Sequence, residues 1–222
     1  TSWGVSTRLI GALIMVHGDE KGLRLPPYVA PVQIVIIPII KDDADLEKIR
    51  DYLKSFIIEL EEKRIQFQLD DRLKISPGFK FNEWEMKGVP IRVEVGSRDM
   101  EAGTLLCVRR DTSEKQSCKI DSASSELNSL LDKIQGNMFN QALEFRDKNT
   151  FTAESYDEFK SLIESGGFIR CGWDGNPETE AAIKGDTKAT IRCILPDAID
   201  KEKKCIYSGN PAKHEVIFAR AY

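Results

Sequence analysis

Val32-Gln33-Ile34-Val35-Ile36-Ile37-Pro38-Ile39 is a short, nearly continuous run of β-branched residues. Such side chains are stiff at χ1 and pack well on a pleated surface, so an apolar run of this length reads as a strand buried on both faces. Immediately after it, Asp42 and Asp45 open a stretch whose apolar residues are Leu46, Ile49, Leu53, Phe56, Ile57 and Leu60. Spacings of three and four put these on one helical face. Ile65, Phe67 and Leu69 then alternate with Gln66 and Gln68, the period of a second strand. Strand, helix and strand, each with a face to bury, predict an α/β fold.

The alternation continues downstream. Ser76-Pro77 offers a helix N-cap followed by proline in the first turn, where its missing N–H costs nothing, and Gly88 can end that helix. Ile91–Val95 and Leu105–Arg109 read as a third and a fourth strand. Leu127, Leu130, Leu131, Ile134, Met138 and Leu143 mark an amphipathic helix from about Ser122 to Lys148. The expected architecture is a mixed or mostly parallel sheet covered by helices. Beyond it, a helix over Thr152–Ser165 precedes Gly166-Gly167 and short strands around 168–173, 190–194, 203–207 and 216–219, which suggest a small α+β domain. Upstream, Trp3 to Val16 reads as a strand running into a helix that ends near His17-Gly18-Asp19. Pro26, Pro27 and Pro31 mark an extended connector. Three parts are therefore expected: 1–26, 27–136 and 137–222.

Composition narrows the function. No apolar run is long enough to span a bilayer. A net charge of −4 and a pI near 5.4 argue against a general nucleic-acid coat but allow local basic patches. The five cysteines are odd in number and widely spaced, which fits a reduced, cytoplasmic protein better than a disulfide framework. Thr1-Ser2-Trp3-Gly4 has no initiator Met and no leader, so a removed N-terminus or a piece of a longer protein is expected. No Gly-x-Gly-x-x-Gly or phosphate loop follows a predicted strand, against other nucleotide-binding α/β enzymes. His17 and His214 stand alone, which argues against a histidine triad or metal site.

Two segments carry candidate chemistry. In Trp3-Gly4-Val5-Ser6-Thr7-Arg8, small residues let a flat nucleotide approach the backbone, and Arg8 can stack on a base or pair with phosphate. An exposed arginine at a strand end is the plainer alternative. Around the Ser76 helix, Glu85 and Trp84 lie among the cations Lys80, Lys87, Arg92 and Arg98. A carboxylate can accept from the N1–H and N2–H edge of guanine, while arginine suits O6, N7 or phosphate. Unpaired loop bases expose those edges. A solvated helix face with a Glu83–Lys87 ion pair is the alternative.

Three ordered blocks carry a resemblance. The first is Thr1 to Gly11 with His17-Gly18-Asp19 and Leu25-Pro26-Pro27. The second is Pro77 to Pro90 followed by Arg92-Val93-Glu94-Val95-Gly96, and the third is Phe218-Ala219-Arg220-Ala221-Tyr222. Together they resemble the C-terminal portion of prolyl-tRNA synthetases of the archaeal and eukaryotic type, which are class II enzymes. The resemblance implies the end of a class II catalytic domain with its motif 3 over 1–26, an anticodon-binding domain over 27–136 and a C-terminal domain over 137–222. It implies that Arg8 clamps ATP, with Mg as companion ion, and that Trp3, Gly4 and Ser6 line the prolyl-adenylate pocket. It also implies that Glu85 and Arg92, with Asp99, Lys115, Lys80 and Lys87, read the guanines of a UGG anticodon on tRNA(Pro). Where the family has Gly-Pro before its basic–acidic pair, this chain has Gly96-Ser97-Arg98-Asp99.

Many relatives hold a structural zinc through four cysteines. Here Cys171 and Cys205 match, but Asn176 and Tyr207-Ser208 stand at the other positions, so no zinc is expected. Cys193 reads as a core thiol. The terminal Tyr222 is expected to dock near the catalytic domain. Motifs 1 and 2 are absent, so this chain alone should not activate proline. The family is dimeric through its catalytic domain, so this piece is expected to be a monomer. A stand-alone RNA-binding module is the alternative function.

Overall fold

In the computed structural model, which describes residues 2–39, 43–196 and 202–220, the opening run forms a strand buried at every position. The chain divides into two compact units, Thr1–Ala142 and Leu143–Tyr222. In chain order the first unit holds α1 (Arg8–His17), β1 (Ile34–Pro38), α2 (Asp43–Glu62), β2 (Phe67–Leu69) and α3 (Pro77–Met86). It continues with β3 (Ile91–Val95), α4 (Ser97–Ala102), β4 (Thr104–Arg109) and β5 (Lys115–Lys119). The long helix α5 (Ile120–Lys148) carries the chain out of the unit, so the division falls inside a helix.

The sheet order is β2-β1-β3-β4-β5, with β1 parallel to β2 and β3, and β4 antiparallel to both β3 and β5. Helical crossovers through α2 and α3 produce the parallel half, and the short 110–114 turn produces the antiparallel hairpin. Side chains alternate across the sheet. Ile34, Ile36, Ile91, Val93, Leu105 and Cys107 form one core with Leu53 and Phe56 of α2 and Leu127, Leu131 and Ile134 of α5. On the other face, Val35 and Ile37 pack against Trp84 of α3 and against Val89. Past β3 this second face is less covered: Leu106 is half-buried, and Ser117 and Lys115 are exposed.

From Val32 onward the expected strands and helices of this unit form, with Ser76 accepting the Phe79 N–H at 3.3 Å as the N-cap of α3. Two elements were not foreseen. The helix α4 is under two turns long, and β5 is a polar edge strand in which only Cys118 is buried. The expected N-terminal strand is absent: among the described residues, 2–6 have no regular structure, since no described strand pairs with them. The helix behind them forms as α1, and the Gly18 N–H closes it on the Ile14 carbonyl at 2.7 Å.

The second unit holds β6 (Thr150–Thr152), α6 (Tyr156–Ser165), β7 (Phe168–Trp173), α7 (Pro177–Thr187), β8 (Ala189–Ile194) and β9 (His214–Arg220). Its sheet order is β6-β7-β9-β8, an α+β arrangement whose core centres on Phe159, Ile163, Ile169, Ile183, Val216 and Phe218. Phe159 and Phe218 meet edge to face at 5.3 Å. The strand expected over 203–207 is not one. Its residues make only isolated bridges, Cys205 with Gly172 and Lys204 with Pro211, and a turn follows at once.

Candidate nucleic-acid interface

One row of side chains runs across the half-covered face. Val35 pairs in register with Arg92, Arg92 with Val108, and Val108 with Lys115. Because cross-strand partners share a face, the row brings Arg92 and Lys115 to one side of the sheet. The Arg92 guanidinium lies over the Phe81 ring at 4.3 Å and pairs with Glu94, two residues on, at 2.9 Å. Glu85, at the C-terminal end of α3, faces the same place. An open recess of about 600 Å³ results, lined by Glu85, Arg92, Lys115, Arg109, Arg110 and Lys21.

Lys21 enters from the segment behind α1. Asp19 and Gly22 exchange main-chain hydrogen bonds at 3.0 and 3.1 Å, a tight turn that presents Lys21 at 3.1 Å from the Glu85 carboxylate. The chain then lies along the end of α3, with the Leu23 N–H donating to Met86 and the Leu25 N–H to Gly88. Two glycines permit this approach. Gly22 has φ +127°, and a Cβ there would stand 2.7 Å from the Met86 backbone. Gly88 has φ +76°, and its Cβ would meet Leu23 at 2.7 Å.

Arg110 ties these pieces together. Its buried guanidinium donates to both Asp19 oxygens at 2.6 and 2.7 Å, and its Nε donates to the Glu85 main-chain carbonyl at 3.0 Å. This bidentate pairing holds the Asp19 carboxyl down to about 2. Arg109 is likewise held by Asp111 at 2.7 Å, which also accepts from Asn137 at 2.6 Å.

Three expected readers lie elsewhere. Lys80 is buried: its ammonium donates to the Asp70 main-chain carbonyl at 2.9 Å and lies 3.7 Å from that residue's carboxylate. Lys87 pairs with Glu83 at 2.7 Å and sits over the Trp84 ring at 4.4 Å, the helix-face arrangement. Asp99 lies beyond the C-terminal end of β3, whereas the recess gathers at its N-terminal end. Its carboxylate accepts the Gly96 N–H at 2.8 Å, a helix-capping task. Lys21, Arg109 and Arg110 were not foreseen. The Arg109-Arg110-Asp111 cluster was the one available signal, at the end of the expected fourth strand. Trp3, Gly4, Ser6 and Arg8 are all exposed, at and just before the start of α1. Tyr222 lies outside the described residues.

In the second unit the positions matched to the family's zinc ligands hold Cys171, Asn176, Cys205 and Tyr207-Ser208. Cys171 and Cys205 are buried, and burial, with Cys205 nearby, pushes the Cys171 thiol up to about 12. Asn176 is taken up as the N-cap of α7, accepting the Glu178 N–H at 3.0 Å. Ser208 donates to Asp174 at 2.7 Å, alongside Thr179 at 3.2 Å and the Asn176 N–H at 3.1 Å. Cys193, expected in the core, is exposed because it follows the irregularity in β8 between Ile191 and Cys193. Among the described residues, no group of three or more His, Cys, Asp or Glu side chains is placed to hold a metal ion.

A protein-family model described as "Anticodon binding domain" matches residues 33–130, the span of the five-stranded sheet and most of its helices. The first unit therefore carries an anticodon-binding domain. A second model, "Prolyl-tRNA synthetase, C-terminal", matches residues 156–222, so the chain holds the anticodon-binding and C-terminal domains found in prolyl-tRNA synthetases. Proteins named proline–tRNA ligase align with all of this chain. The one from Cytophaga hutchinsonii is 49% identical over 223 residues and that from Prosthecochloris aestuarii 49% over 230, with 45% and 47% of their own lengths covered. The one from Bacteroides fragilis is 48% identical over 226 residues, with 46% covered. The chain thus spans about half the length of the curated relatives it matches. Among its described residues, no helix is long and apolar enough to cross a membrane.

Proposed function

We propose that this chain is the C-terminal half of a proline–tRNA ligase and that its recess reads the UGG anticodon of tRNA(Pro). The observation that carries the reading is the Glu85 carboxylate facing a recess lined by Arg92 and Lys115. A carboxylate there accepts from the Watson–Crick edge of a splayed-out guanine, and the cations meet its Hoogsteen edge or a phosphate. Binding of a UGG stem-loop to this chain at fixed moderate salt tests it. Replacing either guanine should cost roughly 1–3 kcal/mol, and equal affinity for all loops would sink the assignment.

The same reading gives the exposed N-terminal segment its task. Arg8 clamps the ATP phosphates, where a cation stabilises charge gathering on phosphorus without proton transfer, and Trp3, Gly4 and Ser6 line the prolyl-adenylate pocket. The whole enzyme would use Mg-bound ATP and proline, act in the cytoplasm and form a homodimer. The quoted motifs support the archaeal and eukaryotic sequence type, while the relatives named above are bacterial. This chain alone should show no proline-dependent pyrophosphate exchange, and exchange above background would contradict that. Zinc plays no part in this reading, which rests on the donor set around Cys171 and Cys205.

A further inference from the structure

We propose that Lys21 is the positioning residue of the reading carboxylate, holding Glu85 aimed into the recess from outside the anticodon-binding fold. The inference rests on the reading of the recess given above. The other cations at the site differ in their engagements: Arg92 is held by Glu94 at 2.9 Å, Arg109 by Asp111 at 2.7 Å and Arg110 by Asp19 at 2.6 Å. Lys21 is the cation that meets Glu85 itself, at 3.1 Å from Oε1. A carboxylate oxygen has two lone pairs, so an ammonium on one side of Oε1 leaves the other side and Oε2 for the two parallel N–H donors of guanine.

The pair is built from both ends by one side chain. Arg110 clamps the Asp19 carboxylate, which accepts the Lys21 N–H at 2.9 Å, and it also holds the main chain of Glu85 at 3.0 Å. Lys21 and Glu85, far apart in sequence, are thereby fixed in one frame. The Lys21 side chain is 59% exposed and that of Glu85 23%, so solvent reaches the ammonium more than the carboxylate. The charged groups facing Glu85 are Lys21 from the turn, Arg110 and Arg109 from the end of β4, Arg92 from β3 and Lys115 from β5.

The test compares a UGG stem-loop with guanine-to-adenine loops on the full 222-residue chain. Adenine presents an acceptor at N1 where guanine presents a donor. Lys21→Met should lower guanine-over-adenine discrimination by roughly two- to fivefold, the worth of an exposed ion pair. Lys21→Arg should restore it, and the unfolding midpoint should stay as in the parent chain. An equal loss on every loop, with a shallower salt dependence, would make Lys21 a phosphate contact and overturn the proposal. So would unchanged discrimination in Lys21→Met while Glu85→Gln abolishes it. If Glu85→Gln itself leaves discrimination intact, the reading of the recess fails first.

Discussion

The ammonium of Lys80, 1% exposed, donates to the main-chain carbonyl of Asp70 at 2.9 Å, beneath the helix whose far end carries Glu85. Trp84 donates its indole N–H to the same residue's carboxylate at 2.7 Å, and Arg72 adds two bonds at 2.8 and 2.7 Å. This buried node pins α3 to the end of β2. Lys80→Ala takes the donor from the Asp70 main-chain carbonyl and a cation from beside its carboxylate, which keeps Arg72 and Trp84, and should destabilise the chain by roughly 1–3 kcal/mol, read as a lowered urea midpoint. Unchanged stability would show that the node contributes little.

Lys115 stands at the open end of the cross-sheet row and is exposed. Lys115→Ala should therefore leave folding intact and weaken every stem-loop alike, with the slope of log K against log salt falling by about one. A loss confined to guanine-bearing loops would assign it a base edge instead.

Acid should weaken the first unit through two carboxylates. Burial alone would raise Asp70, but Arg72, Trp84 and Lys80 together hold it well below the usual range, and Arg110 holds Asp19 down to about 2. The unfolded chain titrates these groups near 4, so on acidification it takes up protons first. Their contribution is complete above about pH 5 and disappears as pH falls through the folded values. Urea midpoints from pH 7 to pH 2 should show the decline, and Asp70→Asn should flatten it while lowering the plateau.

In the second unit, Asp174 accepts from Ser208, Thr179 and the Asn176 N–H, joining the end of β7, the start of α7 and the 205–210 loop. Asp174→Ala should cost roughly 1–3 kcal/mol by leaving those donors unmet. Treating the parent chain with a chelator should not move its melting temperature. A chelator-induced drop would establish a metal despite the donor set.

Much of the first unit was legible because its strands and helices carry their own burial signal. Ile34 to Ile37 are β-branched throughout, and Leu46, Ile49, Leu53, Phe56 and Leu60 keep helical spacing; all are buried. Elements with little to bury were not legible. In β5 only Cys118 is buried, and α7 buries only Thr179 and Ile183. Glu85 and Arg92 could be singled out from residue type and block. Lys21 could not, because main-chain bonds at Leu23 and Leu25 bring it to the recess, and these leave no side-chain pattern. Lys80 misled for the opposite reason: a lysine between Phe79 and Phe81 reads as solvated until Asp70 is seen beneath it.

The row from Val35 to Lys115 is a gauge set by the peptide backbone. Neighbouring strands lie about 4.8 Å apart, so Arg92 and Lys115, with one strand between theirs, are about 10 Å apart at their Cα atoms whatever their rotamers. Point substitutions change what each mark on the gauge carries, but not where it lies. A one-residue deletion in the 110–114 turn that slipped β5 along β4 would act differently. Successive side chains point to opposite faces, so the slip would turn Lys115 away and carry Cys118 out of the core in the same step. Sequence drift at the recess should therefore proceed by exchange of side chains, with the length of that turn held constant.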